Sequence, residues 1–190
     1  MTRPDLLVLV KHARPDVDPA LPSSRWTLGV EGFDGSRRLA ERLRPLDLDV
    51  VVGSVEPKAA ETGRIVAQEL GLPFSTGPGL HEQERTSAGY LDATRFRDAI
   101  RQLFASPRDL VFGDETGDKA GARFGAALAA LGEAHPERRL CVVAHGTVIA
   151  LHLEREYGAD GWSIWQALDV PSYVVVDRRT KEIVDVVSSV

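Results

Sequence analysis

A chain of 190 residues, 43% apolar and 27% charged, is long enough to bury one core without covalent staples. Its net charge of −5 argues against nucleic acid or an anionic membrane as the main partner, and no apolar run approaches the ~20 residues of a membrane span. A single cysteine, Cys141, excludes an internal disulfide. Met1 to Asp5 lack the basic and apolar regions of a secretion signal, so the expected location is the cytoplasm.

Taken in chain order, short apolar runs alternate with helical patterns, the signature of an α/β domain with a mainly parallel sheet. Leu6 to Val10 is apolar throughout, as in a strand buried on both faces. An irregular stretch with Pro15, Pro19 and Pro22 follows, then a helix over about 32–43 that stops near Pro45. A second strand is expected at Leu48 to Val52. Pro57 opens the next helix, where a missing N–H costs nothing, and Gly71 closes it. Residues 74–92 show little periodicity and read as an excursion over the sheet edge, a lid or wall. Helices are expected over about 94–104 and 118–133. Leu140 to Ala144 is a second fully apolar strand, with Cys141 as a buried filler. A helix from Thr147 to Tyr157 comes next, and then a strand pair at 173–176 and 183–187 joined by a turn at 178–181. The whole is expected to be one domain, residues 1–190, with a lid or insertion around 74–95.

Both fully apolar strands run into a histidine: Lys11-His12 after the first, His145-Gly146 after the second. In an open parallel sheet, ligands bind outside the carboxyl ends of the strands. Two parallel neighbours would therefore project both imidazoles into one crevice.

Lys11-His12-Ala13-Arg14-Pro15 resembles the Arg-His-Gly signature of the histidine phosphatase superfamily, which includes the phosphoglycerate-mutase-like enzymes. Ala144-His145-Gly146 resembles that family's second His-Gly element. Ser54 to Thr62 is similar to its Ser-Ser-x-x-x-Arg-Ala-x-x-Thr segment, Leu80-His81-Glu82 to its Leu-x-Glu element, and Gly113 to Thr116 to its Gly-Glu-Ser segment. The matches occur in the family's order along nearly the whole chain.

The resemblance implies a three-layer α/β/α sandwich. It implies a phosphatase for a small phosphomonoester, with a phosphohistidine intermediate on His12, support of the phosphoryl oxygens by His145, and Glu82 as proton donor and then base. Lys11, Arg14, Lys58, Gly146 and Thr147 would bind the phosphate, the last two through a helix N-terminus. No cofactor or metal is implied, and Lys11, Arg14 and Lys58 would repel a cation. The partner expected is a small phosphorylated substrate, and the assembly a homodimer.

The chain departs from the family where lysine replaces both phosphate-pocket arginines, at 11 and 58. Lysine keeps the charge and loses the planar fork. Each lost contact is worth about 1–3 kcal/mol, so a weakly active or inactive relative that binds phosphate-bearing ligands is the alternative. Arg14 and Arg85 are the nearby compensators. Ala13 stands where glycine is usual. The acid is open between Glu82 and Glu84, which fall on one side of an extended segment. His81 is read as a pocket-mouth or exposed residue, His135 as a helix cap and His152 as partly buried support. Trp26 is expected at the pocket rim, and Trp162 and Trp165 in core packing. No Gly-x-Gly-x-x-Gly or Gly-Lys-Ser/Thr loop supports a nucleotide binder.

Overall fold

A computed structural model describes residues 5–190, so the N-terminal reading rests largely on residues outside the described ones. Six strands form one sheet: β1 (Leu6–Lys11), β2 (Val50–Ser54), β3 (Phe74–Gly77), β4 (Leu140–Ala144), β5 (Ser172–Asp177) and β6 (Glu182–Val187). Their spatial order is β3-β2-β4-β1-β5-β6. The β3–β2, β2–β4 and β4–β1 pairs are parallel, whereas β5 and β6 join antiparallel.

The six helices are α1 (Val30–Leu43), α2 (Pro57–Leu70), α3 (Ala93–Ala105), α4 (Gly117–Ala134), α5 (Gly146–Tyr157) and α6 (Gly161–Ala167). Alternation along each strand divides the core between two faces. Leu6, Val8, Val10, Val51, Cys141 and Val143 pack with Leu39, Leu43 and Val66 of α1 and α2. Leu7, Leu9, Val52, Val142 and Ala144 pack with Phe124, Leu128 and Ile149 of α4 and α5. The result is the expected α/β/α sandwich. β4, and β1 as far as Val10, are apolar at every position because each is flanked by strands and covered on both faces.

Most boundaries fall within two residues of those read from the sequence. Two elements were missed. β3 has only four residues, too few for a period to show, and it becomes a strand by pairing with the edge of β2. α6 has seven residues, and its signal is the Asp160 side chain accepting from Ser163 N–H at 3.0 Å. The stretch at 74–92, read as an excursion over the sheet edge, therefore begins with an edge strand, and its later part, from His81 to Leu91, walls a cavity.

Topology places the crevice. The chain leaves β1 for β2, moves outward to β3, and returns to insert β4 between β2 and β1. Lys11 pairs with Ala144, so the two strands end level, and His12 N–H donates to the Ala144 carbonyl at 3.1 Å.

Candidate active site

Both histidines stand at this level edge. Their ring centroids lie 5.2 Å apart at 63°. His12 Nδ1–H donates to the Ala13 carbonyl at 2.8 Å, which leaves Nε2 with its lone pair. The Ala13 N–H is itself anchored on Thr62 Oγ1 at 3.0 Å. Alanine suffices here because the carbonyl, not the side chain, does the holding. Burial, reinforced by His145 and Lys58, pushes the His12 pKa well below its ordinary value, so the ring is neutral near pH 7.

His145 is fully buried and likewise shifted down, first by burial and then by Lys58. Its Nε2 lies 3.0 Å from Ser54 Oγ and 3.7 Å from Glu56 Oε1. Its Nδ1 has no partner among the described residues.

Three cations surround the pair. Lys58 Nζ donates to Ser23 O at 2.7 Å and Glu56 Oε2 at 2.5 Å. Lys11 Nζ donates to Leu168 O at 2.7 Å. Each ammonium therefore keeps at least one free N–H. Arg85 Nη2 pairs with Glu82 Oε2 at 3.0 Å while its buried Nη1 has no partner among the described residues, and its guanidinium lies over the Phe96 ring.

Arg14 does not join them. Its backbone is pressed against the start of α1: Gly29 N–H donates to the Arg14 carbonyl, and a Cβ at Gly32 would lie 2.2 Å from that oxygen. The side chain turns to Glu31 at 3.2 Å, half-exposed and outside the cavity. Of the two compensating arginines read from the sequence, the structure brings in Arg85 alone.

Glu82 is buried against the start of α5. Its carboxylate accepts from Thr147 and Val148 N–H at 3.2 and 3.3 Å and from Gln83 N–H at 2.8 Å. Burial alone would raise its pKa, but Arg85 and these N–H groups hold it down to about 2. Of the helix N–H groups expected to face a phosphate, that of Thr147 is thus taken by this carboxylate. Glu84, two residues on, turns outward to His81 at 3.3 Å.

Sequence reasoning missed what holds this loop. Arg123 donates to the carbonyls of Gly79, His81 and Glu82, and pairs with Glu115. Glu115 in turn accepts from Glu84 N–H, and its carbonyl accepts from the Gln83 amide. Gly113, at φ +74°, lies so close that a Cβ would meet Arg85 Cα at 2.6 Å. Glu56 was also missed, its only signal being its place inside the Ser54–Thr62 motif.

His12, His145, Lys11, Lys58, Glu56, Glu82 and Arg85 line the floor of a cavity of about 820 Å³. Leu21, Trp26, Tyr90, Phe96 and Trp165 wall its outer part. Trp26 sits at the rim as expected. Trp162 and Trp165 do not fill the core: both rings are half-buried and stack at 5.4 Å, because they sit on the short α6 at the edge of the layer, and Trp165 faces the cavity. His135 caps the end of α4, and His152 is buried between Phe124 and Tyr157.

Among the described residues no helix is long and apolar enough to cross a membrane.

The sequence is 33% identical over 161 residues to phosphoglycerate mutase-like protein 4 of Arabidopsis thaliana, covering 78% of this chain and 70% of that one. Among solved structures, Bacillus stearothermophilus YhfR superposes with a TM-score of 0.75 at 19% identity, covering 97% of each chain. The mycobacterial glucosyl-3-phosphoglycerate phosphatase superposes at 0.72 with 21% identity, over 91% of this chain and 90% of that one. The family model of the histidine phosphatase superfamily, branch 1, matches residues 8–186, and with two imidazoles meeting at the ends of parallel strands this chain belongs to that superfamily.

Proposed function

We propose that this chain hydrolyses phosphomonoesters through a phosphohistidine on His12. The observation that carries the reading is a neutral imidazole with its Nδ1–H tied to a backbone carbonyl, 5.2 Å from a second imidazole and beside three cations with free donors. His12 Nε2 attacks phosphorus as the ester P–O bond breaks. The oxyanion's charge spreads over Lys11, Lys58, Arg85 and His145, which are already in place before it arrives. Glu82 is ionised in the free site. It takes up a proton as the anion enters and passes that proton to the leaving oxygen. In the second step Glu82 takes a proton from water, the hydroxide attacks phosphorus, and the P–N bond breaks. Gly146 and Thr147 hold the start of α5 against this group. The mycobacterial relative, named as a glucosyl-3-phosphoglycerate phosphatase, and the Entamoeba histolytica phosphoserine phosphatase, of the same fold, agree with hydrolysis.

The test is hydrolysis of an aryl phosphate together with trapping of a phosphoprotein that survives alkali and is lost in acid. His12→Ala should abolish both. Turnover that persists in His12→Ala, or an adduct on another residue, would overturn the reading.

A further inference from the structure

The site contains a carboxylate that the hydrolytic scheme does not use. Glu56 is buried at the end of β2, on the cavity floor. One oxygen pairs with Lys58; the other accepts the backbone N–H of Glu82 at 2.8 Å and lies 3.7 Å from His145 Nε2. A negative charge beside an anion cradle repels the ligand, and Lys58 and the Glu82 N–H occupy only two of the roughly four acceptor positions of this carboxylate.

We propose that Glu56 is a specificity residue that makes this cradle take a phosphoryl group still carrying one proton. The proposal rests on the phosphate-site reading above and deepens it. A carboxylate only accepts hydrogen bonds. It accepts from a P–OH group and repels a fully ionised oxygen at the same place. The charge balance agrees. Lys11, Lys58 and Arg85 face Glu56 and Glu82, with His12 and His145 neutral, so the floor carries a net charge near +1 rather than the larger surplus that a dianion calls for. Further out, His81, Glu84 and Asp114 line the mouth and add more carboxylate than cation. The same proton answers a chemical need. Glu82 enters the cycle ionised, so the proton that the leaving oxygen requires comes in on the monoanionic ester: Glu56 recognises the P–OH on entry, and the proton then passes from that oxygen to Glu82 and on to the leaving oxygen as the ester P–O bond breaks. A phosphomonoester loses that proton near pH 6, so the competent form of substrate is depleted above that.

Inorganic phosphate and sulfate separate the idea from its rivals. Both are tetrahedral, and sulfate carries no proton between about pH 5 and about pH 8. Calorimetric titration of the wild-type protein should show phosphate about ten- to a hundredfold tighter than sulfate at the acid end, the worth of one hydrogen bond to a charged group. That preference should fade as phosphate loses its proton, while sulfate affinity changes little. Glu56→Gln should reduce the preference to within about threefold. Because the readout is a ratio, any general weakening through the Lys58 contact cancels. Glu56→Asp, which keeps the charge, should retain the preference, and the wild-type comparison needs no variant to fold. A sulfate affinity that falls with pH as steeply as that of phosphate would assign the proton to an imidazole and overturn the proposal. So would an undiminished preference in a folded Glu56→Gln. Failure of both anions to bind would remove the phosphate site itself. No turnover enters this test, so an inactive protein that keeps the preference would refute only the hydrolytic reading.

Discussion

Lys58→Arg separates a lysine that is a weakened arginine from a lysine that the pocket is built around. Lys58 is 4% exposed, and its ammonium is committed to Ser23 O at 2.7 Å and Glu56 Oε2 at 2.5 Å. Its backbone N–H is bound to the Trp26 carbonyl at 3.1 Å, so the helix start cannot retreat to make room. A guanidinium is longer and wider. Displacing the Ser23 O and Glu56 contacts to seat it should cost about 1–3 kcal/mol. For a chain of this size that lowers Tm by roughly 2–12 °C. The Ser23 segment must also shift, and with it the Trp26 wall. A displacement of about 1 Å in a positioning group costs on the order of a hundredfold in rate. We therefore expect Lys58→Arg to lower kcat/KM for an aryl phosphate by about ten- to a hundredfold rather than raise it. Steady-state kinetics with parallel thermal melts measure both quantities. A variant that turns over faster, with an unchanged Tm, would show that the Ser23 and Glu56 contacts are incidental and that the lysine is a defect.

Three further outcomes follow from neighbouring contacts. Gly113→Ala would force a side chain into a backbone at φ +74° and against Arg85 and Glu84, costing about 1–2 kcal/mol for the left-handed angle alone, so both Tm and kcat/KM should drop; unchanged kinetics would show that the Arg85 loop is placed by other means. Glu82 has a depressed pKa, so its ionised contacts stabilise the fold above about pH 4.5, and the contribution is lost as pH falls towards about 2. Glu82→Gln should therefore be less stable by up to about 3 kcal/mol near neutrality, with the gap closing in acid by chemical denaturation; a gap independent of pH would remove the ion-pair explanation. His152 is pushed down to about 4 by burial, and its Nδ1 has no partner among the described residues. The unfolded chain then binds a proton that the folded one refuses, so stability is full above about pH 6.5 and falls towards about pH 4. His152→Leu should flatten that slope, removing on the order of 3 kcal/mol of the loss accumulated between about pH 6.5 and about pH 4, and an unaltered slope over that range would place the acid sensitivity elsewhere.

The strand periodicity and the histidines at two strand ends were legible from the residues because both are local patterns. A run such as Leu6 to Val10 or Leu140 to Ala144 states its own burial, and a parallel sheet opens at its carboxyl edge. What the sequence could not state was direction and company. Arg14 and Arg85 are equally basic and equally near a motif, yet one is turned out by α1 and the other is drawn in beside Glu82. Nothing in the sequence sets Glu56 against His145, which the return of β4 brings to it, or Arg123 against the Glu82 loop that folds over it. Side-chain type and period travel with the chain, whereas the contacts that Glu56 makes 26 and 89 positions away, with the Glu82 backbone N–H and with His145, exist only once the sheet order has been chosen.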